Sequence, residues 1–143
     1  MQAMSAENVE VVRRLTEAWE RGDLEAQLAE IDPDVEIVEW PEGPDPRTYH
    51  GHAGVVEAGR SWAEPWEWLR NEVSEYVDVG DRVLTCGRIR VKGKGSAVEV
   101  GGDAFSLHTV RGGKVTRIEF FTDRERALKA AGLAGAESEA DVR

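Results

Sequence analysis

The spacing of hydrophobic residues changes once along this chain, and that change limits what the chain can become. In the first half, apolar side chains recur every three or four positions. From Glu72 onward they recur at every second one, through VSEYVDV, RVLTCGRIRVKG, AVEVGGDAFSLHTV and KVTRIEFFT. The longer period puts one apolar face on a helix, and the two-residue period puts one on a strand. Gly80-Asp81, Gly93-Lys94-Gly95 and Gly112-Gly113 separate the four strand-like runs as hairpin turns would. Helices followed by a four-stranded antiparallel meander define an α+β chain rather than an alternating α/β one.

Ser5 is placed to cap a helix over residues 6–21, with Val9, Val12, Leu15 and Trp19 on one face and Gly22 behind it. Asp23 caps a shorter helix bearing Leu24, Leu28 and Ile31, which Pro33 ends. VEIVEW, from Val35 to Trp40, alternates like a half-buried strand, and PEGPDPRTYHG reads as a loop because proline cannot donate to a ladder. A third helix carries Val55, Gly59, Trp62 and Trp66 at helical steps, with Pro65 positioned to end or kink it. Asp123 caps a last helix, RERALKAAG, closed by Gly132. The charges of RERALK and GDLEAQ read as solvated helix faces. One domain over residues 1–133 is expected, with 134–143 a disordered tail because AGAESEADVR has no bulky apolar residue except Val142.

Composition excludes several function classes. No apolar run approaches the roughly 20 residues that span a bilayer. MQAMSAENVEVVRRL lacks the basic and apolar regions of a secretory signal, and the single cysteine, Cys86, cannot form an internal disulfide, so a cytoplasmic location is expected. Acidic residues outnumber Lys and Arg by 28 to 18, giving a net charge of −10. Such a field repels phosphate backbones and anionic headgroups, so neither nucleic acid nor a membrane is an expected partner.

The order helix, helix, strand, helix, meander resembles the nuclear transport factor two-like superfamily, and particularly its SnoaL-like branch. RRLTEAWERGDLEAQLAEIDPDVEIVEW, YHGHAGVVE and FSLHTVRGGKVTRIEFFTDRERALKAAGL carry the resemblance, which spans roughly residues 6–133. It implies a cone-shaped, curved, mostly antiparallel sheet wrapped around about three N-terminal helices, a short C-terminal helix, and an apolar pocket inside. It also implies a twofold homodimer formed through the outer sheet face, where Arg88, Arg90, Arg117 and Glu119 would lie. The family includes ketosteroid isomerase, polyketide cyclases, limonene-epoxide hydrolase and noncatalytic members, so its fold does not settle an activity.

Carried across residue by residue, the family's catalytic groups are mostly replaced. The isomerase's helix-one tyrosine, general base and second donor fall on Leu15, Trp40 and near Ser106; the hydrolase's catalytic trio falls on Phe120 and near Gly87 and Ile89. Asp103 is the nearest carboxylate to the cyclases' acid/base, beside a Gly101-Gly102 pair that suggests a bulge or strand start.

If Ser106 faces the pocket, strand parity turns His108 inward with it, where the imidazole is either an acid/base or a neutral hydrogen-bonding group. Trp19, Trp40, Trp62 and Trp66 map to the pocket wall with Ile118 and Phe120, and Tyr49 to its mouth. Large aromatic surfaces with an N–H at the edge suit a flat or cyclic hydrophobic ligand. His50 and His52 are spaced as two metal ligands could be on an extended segment, but no third ligand has matching spacing, so neither a metal nor a cofactor is assigned. The resulting expectation is a small-molecule-binding protein with an aromatic pocket; the alternative is a cyclase, isomerase or dehydratase using His108, with Asp103 or Tyr49 assisting.

Overall fold

Pro65 marks the place where the helical half of the chain gives way to the sheet. The structure, a computed structural model, describes residues 2–40 and 46–133, with side chains from Ala6 onward. Before Pro65 lie α1 (Gln2–Arg21), α2 (Leu24–Ala29), β1 (Ile31–Val38), β2 (Thr48–His50) and α3 (Gly51–Ala63). After it come β3 (Trp66–Val79), β4 (Arg82–Gly93), β5 (Glu99–Arg111), β6 (Lys114–Phe121) and α4 (Arg124–Ala130).

The strands form one sheet in the order β2-β1-β6-β5-β4-β3. β3 to β6 are the expected meander, and β1 joins it by parallel pairing with β6, Ile37 opposite Ile118. The architecture is α+β, with a curved, mostly antiparallel sheet. Val12 and Leu15 of α1 and Val55 and Ala58 of α3 pack with Val83, Val110, Val115 and Ile118 on the concave face. On the convex face, Ala127 and Leu128 of α4 cover Leu84, Cys86, Phe105, Leu107 and Phe121.

Curvature has a local cause. The β3–β4 register shifts between Val73 and Glu75, opposite Gly87 and Cys86, and a side chain on Gly87 would collide with the Glu72 carbonyl and Val73 Cα. A bulge bends its strand and increases the twist, and only glycine opposite it leaves room for that bend.

Several boundaries differ from the sequence reading. α1 continues through Ser5 rather than starting after it, and β1 begins at Ile31, running through Asp32 and Pro33 where its register with β6 is irregular and a proline removes no ladder bond. Residues 48–50 are not loop: beyond Pro46 the backbone has its donors back and pairs with β1, Tyr49 opposite Ile37. Trp66 does not extend the third helix, because Pro65 stops it at Ala63 and Trp66 opens β3 instead. β3 therefore starts six residues before Glu72.

Asp23 caps α2 through its side chain, 3.1 Å from the Ala26 N–H. Asp123 precedes α4 in extended geometry without such a bond, and its carboxylate sits 3.8 Å from Arg126 Nε. On the outer face Arg90 pairs with Glu72 and Glu99, and Arg117 pairs with Glu36 and Glu119. The expected tail, 134–143, lies outside the described residues.

Candidate functional site

Parity along the strands builds the site. On β5, Ala104, Ser106 and His108 face the helices while Phe105 and Leu107 belong to the α4 side. Register then aligns their neighbours: Ser106 lies opposite Thr85 and Phe120, and His108 opposite Val83 and Ile118. Helices supply the facing wall through Leu15, Thr16 and Trp19 of α1, Gln27 of α2, and Val55, Gly59 and Trp62 of α3. Between wall and sheet lies a cavity of about 130 Å³, which Trp40 and Ile37 also line.

His108 is 6 % exposed, and among the described residues its Nδ1 is the one buried side-chain polar atom without a hydrogen-bond partner. Burial pushes the imidazole from its ordinary 6.5 down to about 4; backbone groups of Val83 and Ser106 oppose the shift but leave Nδ1 without a bond of proper geometry. The ring is therefore neutral at physiological pH. Thr85 Oγ1 donates to the Ser106 carbonyl at 3.4 Å.

At one side of the cavity the aromatic rings close on each other. Trp62 meets Trp40 at 5.4 Å and Phe120 at 5.0 Å between ring centroids, both near edge-to-face, and Tyr49 stands edge-on to Trp62 at 6.3 Å. Glu39 fixes this arrangement from behind. Its carboxylate accepts from Trp62 Nε1 at 2.7 Å, from the Tyr49 hydroxyl at 3.2 Å and from the Arg47 backbone N–H at 3.0 Å. Arg47 also donates its guanidinium N–H to the Tyr49 oxygen, 3.0 Å away. Hydrogen bonds to a charged acceptor are the stronger kind, so Trp62 is held firmly.

The structure brings Trp19, Trp40, Trp62, Ser106, His108, Ile118 and Phe120 to the cavity wall. It does not bring three other expected residues there. Tyr49 is buried behind Trp62, bonded to Glu39. Trp66 lies on β3 outside the lining. Asp103 is exposed opposite Arg88 on the outer face, because the β4–β5 register runs unbroken through Gly101-Gly102 and nothing reverses the parity. His52 Nε2 sits 2.9 Å from the Ile31 carbonyl oxygen, at the start of α3, and His50 is exposed on β2.

Sequence reasoning missed Thr16, Gln27, Asn71 and Thr85, which add hydroxyl and amide groups to the lining. Thr85 was available from register, as the β4 residue opposite Ser106. Among the described residues no Asp or Glu lines the cavity. Among the described residues His108 is its one titratable side chain, and a base held near pKa 4 has little driving force for abstracting a proton at neutral pH.

With the fold and cavity in place, comparison with known proteins gives the class. A family model described as SnoaL-like domain matches residues 12–118. The chain belongs to the SnoaL-like family, within the nuclear transport factor two-like (NTF2-like) superfamily. Among solved structures, an NTF2-like protein from Burkholderia xenovorans LB400 is 32 % identical with a TM-score of 0.67, the match covering 88 % of this chain and 95 % of that one. TerC, co-crystallized with polyporic acid, is 26 % identical with a TM-score of 0.70, over 88 % of this chain and 98 % of its own. A proposed SnoaL-like polyketide cyclase from Jannaschia sp. CCS1 shares 22 % identity with a TM-score of 0.72, over 90 % and 93 %. No curated protein matches. Among the described residues no helix is long and apolar enough to cross a membrane.

Proposed function

We propose that this protein binds a mainly apolar, ring-containing small molecule in the cavity and orients it through His108. The observation that carries the reading is the unpartnered Nδ1 on an imidazole buried among aromatic and aliphatic side chains. Leaving a buried polar group unpaired costs roughly 1–3 kcal/mol, so a ligand that completes the bond gains that term. A hydroxyl suits the position best, since it can donate to Nδ1 or accept from it, whichever ring nitrogen carries the proton.

Volume limits the buried part. An engineered apolar cavity on the order of 150 Å³ holds benzene, and this one, about 130 Å³, takes one ring of similar size. TerC, a structural relative solved with polyporic acid, supports a ring-bearing ligand. Titrating hydroquinone into the protein, followed by tryptophan fluorescence, tests the reading. Quenching that saturates in the wild type and is lost in His108→Ala is expected, and no saturable change would reject it.

A second reading, an acid/base role for the same imidazole in a cyclase, isomerase or dehydratase reaction, rests on its position in the cavity and has its low basicity against it. His108→Gln separates the two once turnover of a ring substrate is measured. If Gln keeps both binding and turnover, the imidazole is a hydrogen-bonding handle. If Gln binds normally and turnover disappears, it is the acid/base. The outer face, with Arg88, Arg90, Arg117 and Glu119, is proposed as a twofold homodimer contact. Light scattering at micromolar concentration should give twice the chain mass of 15.8 kDa, and a monomer alone would reject the contact.

A further inference from the structure

A second, wider cavity of about 520 Å³ adjoins the first, and Trp19, Gly59, Trp62, Leu69 and Asn71 line both. Those five residues form a neck between an inner chamber and an outer vestibule. The vestibule differs in chemistry: Glu20, Arg21, Arg70 and Glu72 border it. Its charges are balanced two against two and already engaged in part, Arg21 lying 3.6 Å from Asp23, Glu72 3.4 Å from Arg90, and Arg70 over the Trp68 ring.

Polar groups mark both ends of the combined space. His108 is level with Val83, whereas Asn71 is level with Ile89 and Gly102, six residues further along β5. At about 3.4 Å per strand residue that is roughly 20 Å of strand, so the two stand at opposite ends of the lining. The neck stays open at Gly59: a Cβ built there meets no other part of the chain within 4 Å, although the residue lies mid-helix, where glycine is a poor helix former.

We propose that the site takes a two-part ligand: a hydroxylated ring in the inner chamber against His108, joined to a neutral hydrophilic group that passes Gly59 and Asn71 into the vestibule. This rests on the ring-binding reading above and extends it. Balanced charge at the rim favours an uncharged, hydroxyl-rich extension such as a sugar over an anion or a cation. Trp62, held by Glu39, is the fixed wall of the neck.

Calorimetric titration of the full chain with hydroquinone and with hydroquinone β-glucoside tests the proposal. The wild type is expected to bind the glucoside at least as tightly as hydroquinone. Gly59→Leu should weaken the glucoside by about tenfold or more while leaving the melting temperature unchanged or higher. Gly59→Ala, with a smaller plug, should fall between and serves if the leucine variant does not fold. Hydroquinone binding with the glucoside about tenfold weaker, or glucoside affinity unmoved by Gly59→Leu, overturns the two-part ligand and leaves the inner chamber standing. If neither compound binds the wild type, the ring-binding reading itself falls and the extension with it.

Discussion

Residues 83–86 of β4 and 105–110 of β5 are buried on both faces of the sheet, and the two faces are filled in opposite ways. On the convex side Leu84, Cys86, Phe105, Leu107 and Phe121 pack under α4 as an apolar layer. One residue along each strand, on the concave side, stand Thr85, Ser106 and His108, also buried, around the cavity. Burial alone therefore does not decide what a strand residue does. A chain under selection only for stability would close a 130 Å³ void and would not place an unpaired imidazole nitrogen beside it. The contrast supports the proposal that the concave half is the working half of the sheet.

The largest expected effect breaks the contrast from its solid side. Leu107→Ala removes a fully buried side chain from the convex layer, and a loss of about 2–5 kcal/mol in urea unfolding is expected, with hydroquinone affinity nearly unchanged in the folded protein. His108→Leu is the mirror experiment. It should leave stability equal or higher, because the unpartnered nitrogen is gone, and should abolish ring binding. If His108→Leu instead destabilised as much as Leu107→Ala, the concave face would be ordinary core.

Acid supplies the next test. His108 titrates near 6.5 in the unfolded chain and near 4 when folded, so between those values the unfolded state holds the extra proton and stability rises with pH. The stabilisation is present above pH 6.5 and is lost as pH falls toward 4, by about 3 kcal/mol at 1.36 kcal/mol per pKa unit. The difference in urea midpoint between wild type and His108→Gln, followed from pH 7 to 4, isolates it from the many carboxylates. A constant difference would show that the histidine is not desolvated.

Glu39→Ala should cost about 1–3 kcal/mol by leaving the Trp62 N–H and Tyr49 hydroxyl without their acceptor. Tryptophan emission should shift to the red as Trp62 loosens, and Glu39→Gln, whose amide oxygen still accepts, should shift less. The smallest effect belongs to the exposed pairs: Arg90→Ala, which breaks contacts to Glu72 and Glu99, is expected to change chemical stability of the monomer by less than about 1 kcal/mol.

What the sequence disclosed follows the same division. The two-residue period turns Ser106 and His108 to one side with Ile118 and Phe120, because a strand permits no other arrangement without a bulge. Bulges themselves were not legible. Gly101-Gly102 suggested one that does not exist, while the bulge opposite Gly87 depends on how closely β3 approaches β4. Trp66 fits a helical step from Trp62, but Pro65 ends the helix, so β3 begins six residues before the two-residue period becomes visible, Asn71 among them. Gln27 hid among the charges of GDLEAQ: its amide reads as solvent-facing until α2 is packed against the sheet. The role of Glu39 was not legible, since its partners Arg47, Tyr49 and Trp62 come from later in the chain.

The parallel pairing of β1 with β6 has a consequence for how the chain reaches this state. Glu36 and Arg117, paired across those strands, are 81 residues apart in sequence. Contacts that close so long a loop form late, and topologies rich in them fold slowly compared with helical bundles. During synthesis α1, β1 and α3 leave the ribosome well before β6 exists to pair with β1, so Trp19, Trp40 and Trp62 emerge with no sheet to cover them. Until Phe121 is made, the surfaces that later line the cavity lack their sheet cover, and that interval is when the nascent chain is most prone to aggregate or to engage a chaperone.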